Sequence, residues 1–301
     1  MKEENYKLIA DGEGQRLDKY IASKLPEFSR SYIQKLIDDS CISVNNRIEK
    51  ASYKLGTGDK MNIKVPEAEI SELKPEDIFL NIIYEDEDLM VIDKPAGLTV
   101  HPAPGHSEHT MVNAVLSHFP ELPDSGGDRL RPGIVHRLDK DTSGLVLVAK
   151  NRTSLANLSN QFKSRTVTKI YLTLVKGHIL PESGLIDAPI GRDPDNRKKM
   201  AVVDSGREAR TRYRVIKYYN SGYSLLEITL ETGRTHQIRV HLAAIGFPVV
   251  GDITYGTRLP FLSRQFLHAH RIGFNLPSTG KYVEFISDLP DDLKLALEKV
   301  I

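Results

Sequence analysis

Apolar residues in this chain keep two rhythms. Between residues 16 and 37 they recur at helical spacing, with Leu17, Ile21 and Leu25 on one stripe and Ile33, Leu36 and Ile37 on the next. That is the pattern of amphipathic helices facing a core. Arg16-Leu17-Asp18 opens the first helix, and Phe28-Ser29-Arg30-Ser31 offers the second an N-cap serine. From Ile42 the rhythm changes to alternation: Ile42 and Val44 run into an Asn45-Asn46 turn, and Gly56-Thr57-Gly58-Asp59 precedes a strand carrying Met61, Ile63 and Val65. Residues 1–65 therefore read as a small helix-helix-strand domain. Residues 66–80, PEAEISELKPEDIFL, break both rhythms and read as an acidic linker. Residues 81–301 form a second domain, beginning with Ile82-Ile83-Tyr84 and a buried strand, Leu89 to Asp93. A helix is expected over 151–165, with Leu155, Leu158 and Phe162 on one face, then alternating strands at 167–175, 209–218 and 223–230. Strands outnumber helices, so the fold class is α+β, built on a mixed, mostly antiparallel sheet.

Composition narrows the setting. No apolar run reaches about 18 residues, so no membrane span is expected. The N-terminal MKEENYKLIADGEG has no apolar signal core, and Cys41 is the single cysteine, so no intrachain disulfide forms. A cytoplasmic location and a monomer are expected, with Cys41 a buried structural thiol. The net charge of +1 hides a segregation. Residues 66–93 hold ten acids against one base, and residues 131–210 hold fifteen Lys/Arg against eight Asp/Glu. A basic block of that kind suits a polyanionic partner.

The densest chemistry lies in that block. HRLDKDTSGLVLVAK, residues 136–150, sets Asp139 between Arg137 and Lys140, with Asp141, a Thr142-Ser143-Gly144 turn and an apolar strand behind it. A carboxylate on a tight loop beside a buried strand suits a nucleophile or general base, and an adjacent cation keeps such an acid ionised. Lys94 to Pro102 forms a rigid loop, and Tyr171 interrupts the branched-aliphatic pattern of a strand. In Gly233 to Leu242, Ile238 and Leu242 keep helical spacing with Ile245, while Arg239 projects elsewhere. Gly191 to Arg210 reads as a mobile basic hairpin, with Arg192, Arg197, Lys198, Lys199, Arg207 and Arg210 available to phosphates. The histidines form no metal-ligand triad, and neither a P-loop nor a dinucleotide fingerprint is present.

The run 136–150 resembles the active-site motif of the RluA/RluD family of RNA pseudouridine synthases, and the segment 94–102 resembles that family's opening motif. The resemblance implies isomerisation of uridine to pseudouridine in folded RNA without a cofactor. It makes Asp139 the catalytic carboxylate, acting either by adding to C1′ or by removing the C2′ proton. Tyr171 would pack on the target base and help move its proton, Ile238 would lie beside it, and Arg239 would pair with Asp139 through a bidentate fork. Arg137, Arg234 and His236 are assigned to RNA contact. The N-terminal domain resembles the RNA-binding module first described in ribosomal protein S-four, with Arg16, Arg30 and Lys35 at the RNA-facing places. Ser40 and Asn46 stand where that module usually has glycine. The domain order is most like the branch acting on large-subunit ribosomal RNA. Transfer RNA is the alternative substrate, and a non-enzymatic ribosome-assembly factor the alternative role. A nucleoside-hydrolysing glycosidase would need a second carboxylate, for which Asp141 is the nearest candidate in sequence.

Overall fold

A computed structural model describes residues 4–25, 28, 30–65, 73–102, 108–122, 131–196, 199–256 and 258–300. The chain divides into two compact units, residues 1–72 and 73–301.

The first unit contains β1 (Glu4–Ile9), α1 (Leu17–Lys24), α2 (Arg30–Asp38), β2 (Ile42–Val44), β3 (Arg47–Ile48) and β4 (Lys60–Val65). Its antiparallel sheet runs β1-β4-β2-β3. The helical stripes pack with Ile42, Met61 and Ile63 into one core. Strand β1 was not expected: its alternation, Tyr6 and Leu8, is short and flanked by acids, and it is fixed by pairing Tyr6 with Ile63 and Leu8 with Met61. Cys41 is half-buried rather than buried. Of the two serines offered as N-cap, Ser29 and the Ser31 side chain both lie outside what is described.

Both residues standing in glycine positions adopt left-handed backbone, Ser40 at φ 60° and Asn46 at φ 63°. Ser40 closes α2: the Cys41 N–H donates to the Leu36 carbonyl at 2.8 Å and the Ser40 N–H to that of Ile37 at 3.0 Å. This is a helix end that favours glycine. Ser40→Gly removes the left-handed penalty and loosens the unfolded chain, for an expected net gain of about 0.5 kcal/mol. Hydrogen exchange of the α2 amides reads this as slower exchange; faster exchange would show that the serine side chain holds the turn.

The second unit contains β5 (Asn81–Glu85), β6 (Leu89–Lys94), α3 (Met111–His118), β7 (Ser143–Ala149), α4 (Arg152–Lys163), β8 (Thr168–Lys176), β9 (Ser183–Asp187), β10 (Ile190–Arg192), β11 (Met200–Val202), β12 (Arg210–Tyr219), β13 (Tyr223–Leu230), α5 (Gln237–Ala244), β14 (Leu267–Asn275), β15 (Tyr282–Ile286) and α6 (Asp291–Glu298). A nine-stranded sheet runs β5-β6-β7-β14-β8-β13-β12-β9, with β15 added to β14. Its ladders are antiparallel except β7 with β14, where Ser143 pairs with His268 and Gly144 with Ala269. The α+β expectation and the mixed sheet hold.

Strands β6 and β7 are apolar at consecutive positions because both sheet faces are covered. Met90, Ile92, Val146 and Val148 pack with α3 and α5 on one face. Leu89, Val91, Leu145 and Leu147 pack with α4 on the other. Ser143 and Gly144 begin β7 rather than forming the expected turn. Gly144 is required by close approach: at φ +112°, a Cβ there would lie 2.3 Å from the Ala269 carbonyl oxygen. Among the described residues no helix is long and apolar enough to cross a membrane.

Candidate active site

Asp139 lies on the loop that enters β7, and the loop is braced from three directions. His136 accepts the Leu147 N–H at 2.9 Å and stacks on Phe162 with ring centroids 4.7 Å apart. Burial pulls its imidazole down to about 3, so it remains neutral. Lys94 is fully buried, and its ammonium donates to the carbonyls of Pro95, Leu98 and Lys140 at 2.8, 2.9 and 3.0 Å. Burial pulls its pKa to about 7 against the attraction of Asp141, and three acceptors match the three ammonium protons. Arg264 donates to the Asp141 carbonyl at 3.1 Å and forks onto Asp292 in the first turn of α6, tying that helix to the loop.

Asp139 lies in a cavity of about 500 Å³ lined also by Arg137, Tyr171, Arg234, His236, Ile238 and Arg239. Six residues scattered over a hundred positions of sequence are thus brought together around one carboxylate. Tyr171 and Ile238 are buried in its wall. Burial, then the charge of Asp139, push the Tyr171 phenol well above its usual range, so it stays neutral. His236 has left-handed backbone at φ 57° and bonds the Tyr255 hydroxyl through Nδ1 at 2.9 Å. Its Nε2 lies 3.9 Å from Asp139 Oδ2, and burial, the largest influence, keeps its pKa below the usual value.

Arg239 departs from expectation. It reaches Asp139 with one nitrogen, Nη1 to Oδ2 at 3.1 Å. Its fork belongs to Asp252, with Nε to Oδ2 at 2.7 Å and Nη2 to Oδ1 at 2.9 Å. Burial pushes the Asp252 carboxyl up, but Arg239 and the N–H groups of Thr254 and Tyr255 outweigh it and hold it below the usual range. The Tyr255 ring lies 5.2 Å from the Arg239 guanidinium carbon. Neither Asp252 nor Tyr255 was singled out from the sequence; the available signal was the pair of glycines, Gly251 and Gly256, around them.

The basic hairpin contributes less than its charge suggested. Arg192 and Lys199 are absent from the cavity wall, while Arg207 is part of it. Lys199 instead donates to the Thr254 carbonyl at 2.8 Å. Arg197 and Lys198 lie outside the described residues. In the first unit, Arg16 and Arg30 converge on buried Asp18, with N···O distances of 3.0 and 2.8 Å. Gln34 joins them at 2.7 Å. Burial pushes the Asp18 carboxyl up, and these three donors outweigh it and hold it well below the usual range. The Lys35 side chain lies outside the described ones.

The cavity's other acid, Glu231, is held by Arg210 and Arg212, and Asp141 is exposed, so among the described residues no carboxylate pair of glycosidase type flanks Asp139. Nor is any group of three His, Cys, Asp or Glu placed to share a metal ion.

The sequence pattern of the family described as RNA pseudouridylate synthase matches residues 88–244, which carry Asp139, Tyr171 and Arg239. The chain belongs to the RNA pseudouridylate synthase family. It is therefore an isomerase acting on RNA, and an S4 domain pattern matches residues 15–60 of its first unit. The synthase is 45% identical over 295 residues to a protein of Aquifex aeolicus named as an uncharacterized RNA pseudouridine synthase, covering 94% of this chain and 93% of that one. It is 43% identical to the ribosomal large subunit pseudouridine synthase D of Nitrosomonas europaea, over 95% of this chain and 85% of the relative. The structure of human RNA pseudouridylate synthase domain containing 1 superposes with a TM-score of 0.58 at 30% identity, over 71% of this synthase and 85% of the human chain.

Proposed function

We propose that this synthase converts specific uridines of large-subunit ribosomal RNA to pseudouridine, with Asp139 as the carboxylate that acts on the ribose. The observation that carries this reading is the half-sheltered Asp139 carboxylate, held by a single Arg239 contact in a cavity walled by Tyr171 and Ile238. Isomerisation breaks N1–C1′ and joins C5 to C1′; the proton lost at C5 balances the one gained at N1. No electrons or groups enter from outside, so no cofactor is required. The carboxylate serves by adding to C1′ or by removing the C2′ proton, and Arg239 balances its charge in either route. The target uridine must leave its stack, which costs a few kcal/mol. Contact with Tyr171 and Ile238 offsets that cost, and the neutral Tyr171 phenol is available to donate a proton. The large-subunit target is supported by the name of the Nitrosomonas relative and by the S4 pattern.

The test is pseudouridine mapping after incubating wild-type protein with unmodified large-subunit ribosomal RNA and with bulk transfer RNA, using Asp139→Asn as control. Discrete wild-type-only sites in the ribosomal RNA are expected. Modification confined to transfer RNA would overturn the substrate, and no product in either would leave the assembly-factor reading.

A further inference from the structure

The cavity around Asp139 is far more basic than one flipped uridine needs. Seven Lys/Arg side chains line it against two acids. Asp139 is matched by Arg239, and Glu231 is engaged by Arg210 and Arg212 from beyond the cavity wall. The surplus is Arg165, Lys169, Arg207 and Arg234, and among the described residues the acid that pairs directly with one of them is Glu208. That carboxylate is spent on a fork with Arg165, at 3.0 and 2.9 Å, while its backbone carbonyl takes the Arg234 Nε at 2.9 Å. Among the described residues no acid pairs with Lys169 or Arg207.

We propose that Arg165, Lys169, Arg207 and Arg234 form a phosphodiester-binding shelf beside the uridine pocket, holding the RNA backbone next to the everted nucleotide. This rests on the RNA-modifying reading above. Three features beyond charge support it. The pleat of β8 puts Lys169 and Tyr171 on one face, about 6.6 Å apart along the strand, and both line the cavity. Arg165 follows α4 with left-handed backbone at φ 61°. There the Thr166 N–H reaches the Gln161 carbonyl at 3.0 Å, closing the helix in a way that ordinarily selects glycine. Strain of this kind concentrates at working sites, and here it sets a guanidinium in the cavity wall. The cations also repel one another: burial and then Arg165 lower the pKa of Lys169, and burial, then Arg207 and Arg165, lower that of Arg234. An anion entering the shelf relieves that repulsion.

The test uses the full chain and a uridine dodecamer, with affinity measured across a range of salt concentrations. Each lost phosphate contact on a single strand lowers the slope of log affinity against log salt by about 0.7. Lys169→Met and Arg165→Gly should each give that reduction and together about 1.4. Lys169→Met should not lower Tm, since it removes a crowded cation, and in Arg165→Gly the relief of strained backbone offsets the loss of the exposed Glu208 fork, so Tm should stay close to wild type. An unchanged slope in both variants overturns the shelf, whatever their Tm. The functional reading fails separately, if wild type forms no pseudouridine, because the slope is a binding equilibrium that needs no turnover.

Discussion

Asp139→Asn should lose pseudouridine formation by about 10⁴-fold, roughly 5 kcal/mol of barrier, with RNA affinity within a few-fold of wild type. The amide keeps the size and approximate shape of the carboxylate but has neither the charge to attack carbon nor the basicity to take a proton. The substitution is benign for folding because Arg239 has a second counter-ion. Its fork stays on Asp252, so no buried charge is stranded when Asp139 becomes neutral. The cations on the cavity wall are untouched, so RNA affinity should hold. Single-turnover product formation, binding and Tm together decide the matter: activity within tenfold of wild type would remove Asp139 from the chemistry.

Asp252→Ala should be the more damaging substitution to the whole molecule. Asp252 is fully buried and Arg239 is 5% exposed. Removing the acid leaves a guanidinium with an empty fork in a dry place, an expected loss of about 3–5 kcal/mol. The released Arg239 is then free to turn its fork onto Asp139. If Asp139 is the reacting carboxylate proposed above, misplacing it by an ångström is enough for about 10²-fold in rate. The pair Arg239→Met with Asp252→Leu separates the two effects, since it should recover much of the stability by apolar packing and still fail to turn over. Because the folded Asp252 pKa is depressed, its stabilisation is complete above the ordinary aspartate range near 4 and is lost as pH falls through the lower folded value. Denaturant titrations at neutral and acid pH should therefore show wild type and Asp252→Ala converging in acid. Equal stability at neutral pH would mean the fork holds nothing in place.

What the sequence made legible was local. Asp139 and its neighbours lie in one contiguous run, and Tyr171 is marked by breaking a strand's aliphatic pattern. Ile238 keeps a helical period, but a place at the site for it, for Tyr171 and for Arg239 comes from the family resemblance. Each of these lines the same cavity. What stayed hidden depends on partners far along the chain. Lys94 at the end of an apolar strand looks like a solvated terminus until the Lys140 carbonyl, 46 residues on, reaches it. Asp252 looks like part of a glycine-flanked turn until α5 lays Arg239 across it. Charge counting also overrated the hairpin, because a lysine's long stem lets Lys199 serve a nearby carbonyl. Strand β14 went unread for a related reason: its meaning comes from β7, whose Ser143 bonds His268 across 125 positions.

That last separation orders events in time. A nascent chain leaves the translating ribosome from its N-terminus. Among the described residues every strand and helix of the first unit lies within residues 4–65, so its hydrogen bonds can close while most of the molecule is still unmade. The strand behind the Asp139 loop must wait for Leu267–Asn275 to arrive on its other side. A newborn synthase thus completes its S4-type unit well before its larger sheet, and a chain stalled short of Leu267 carries the first without the second.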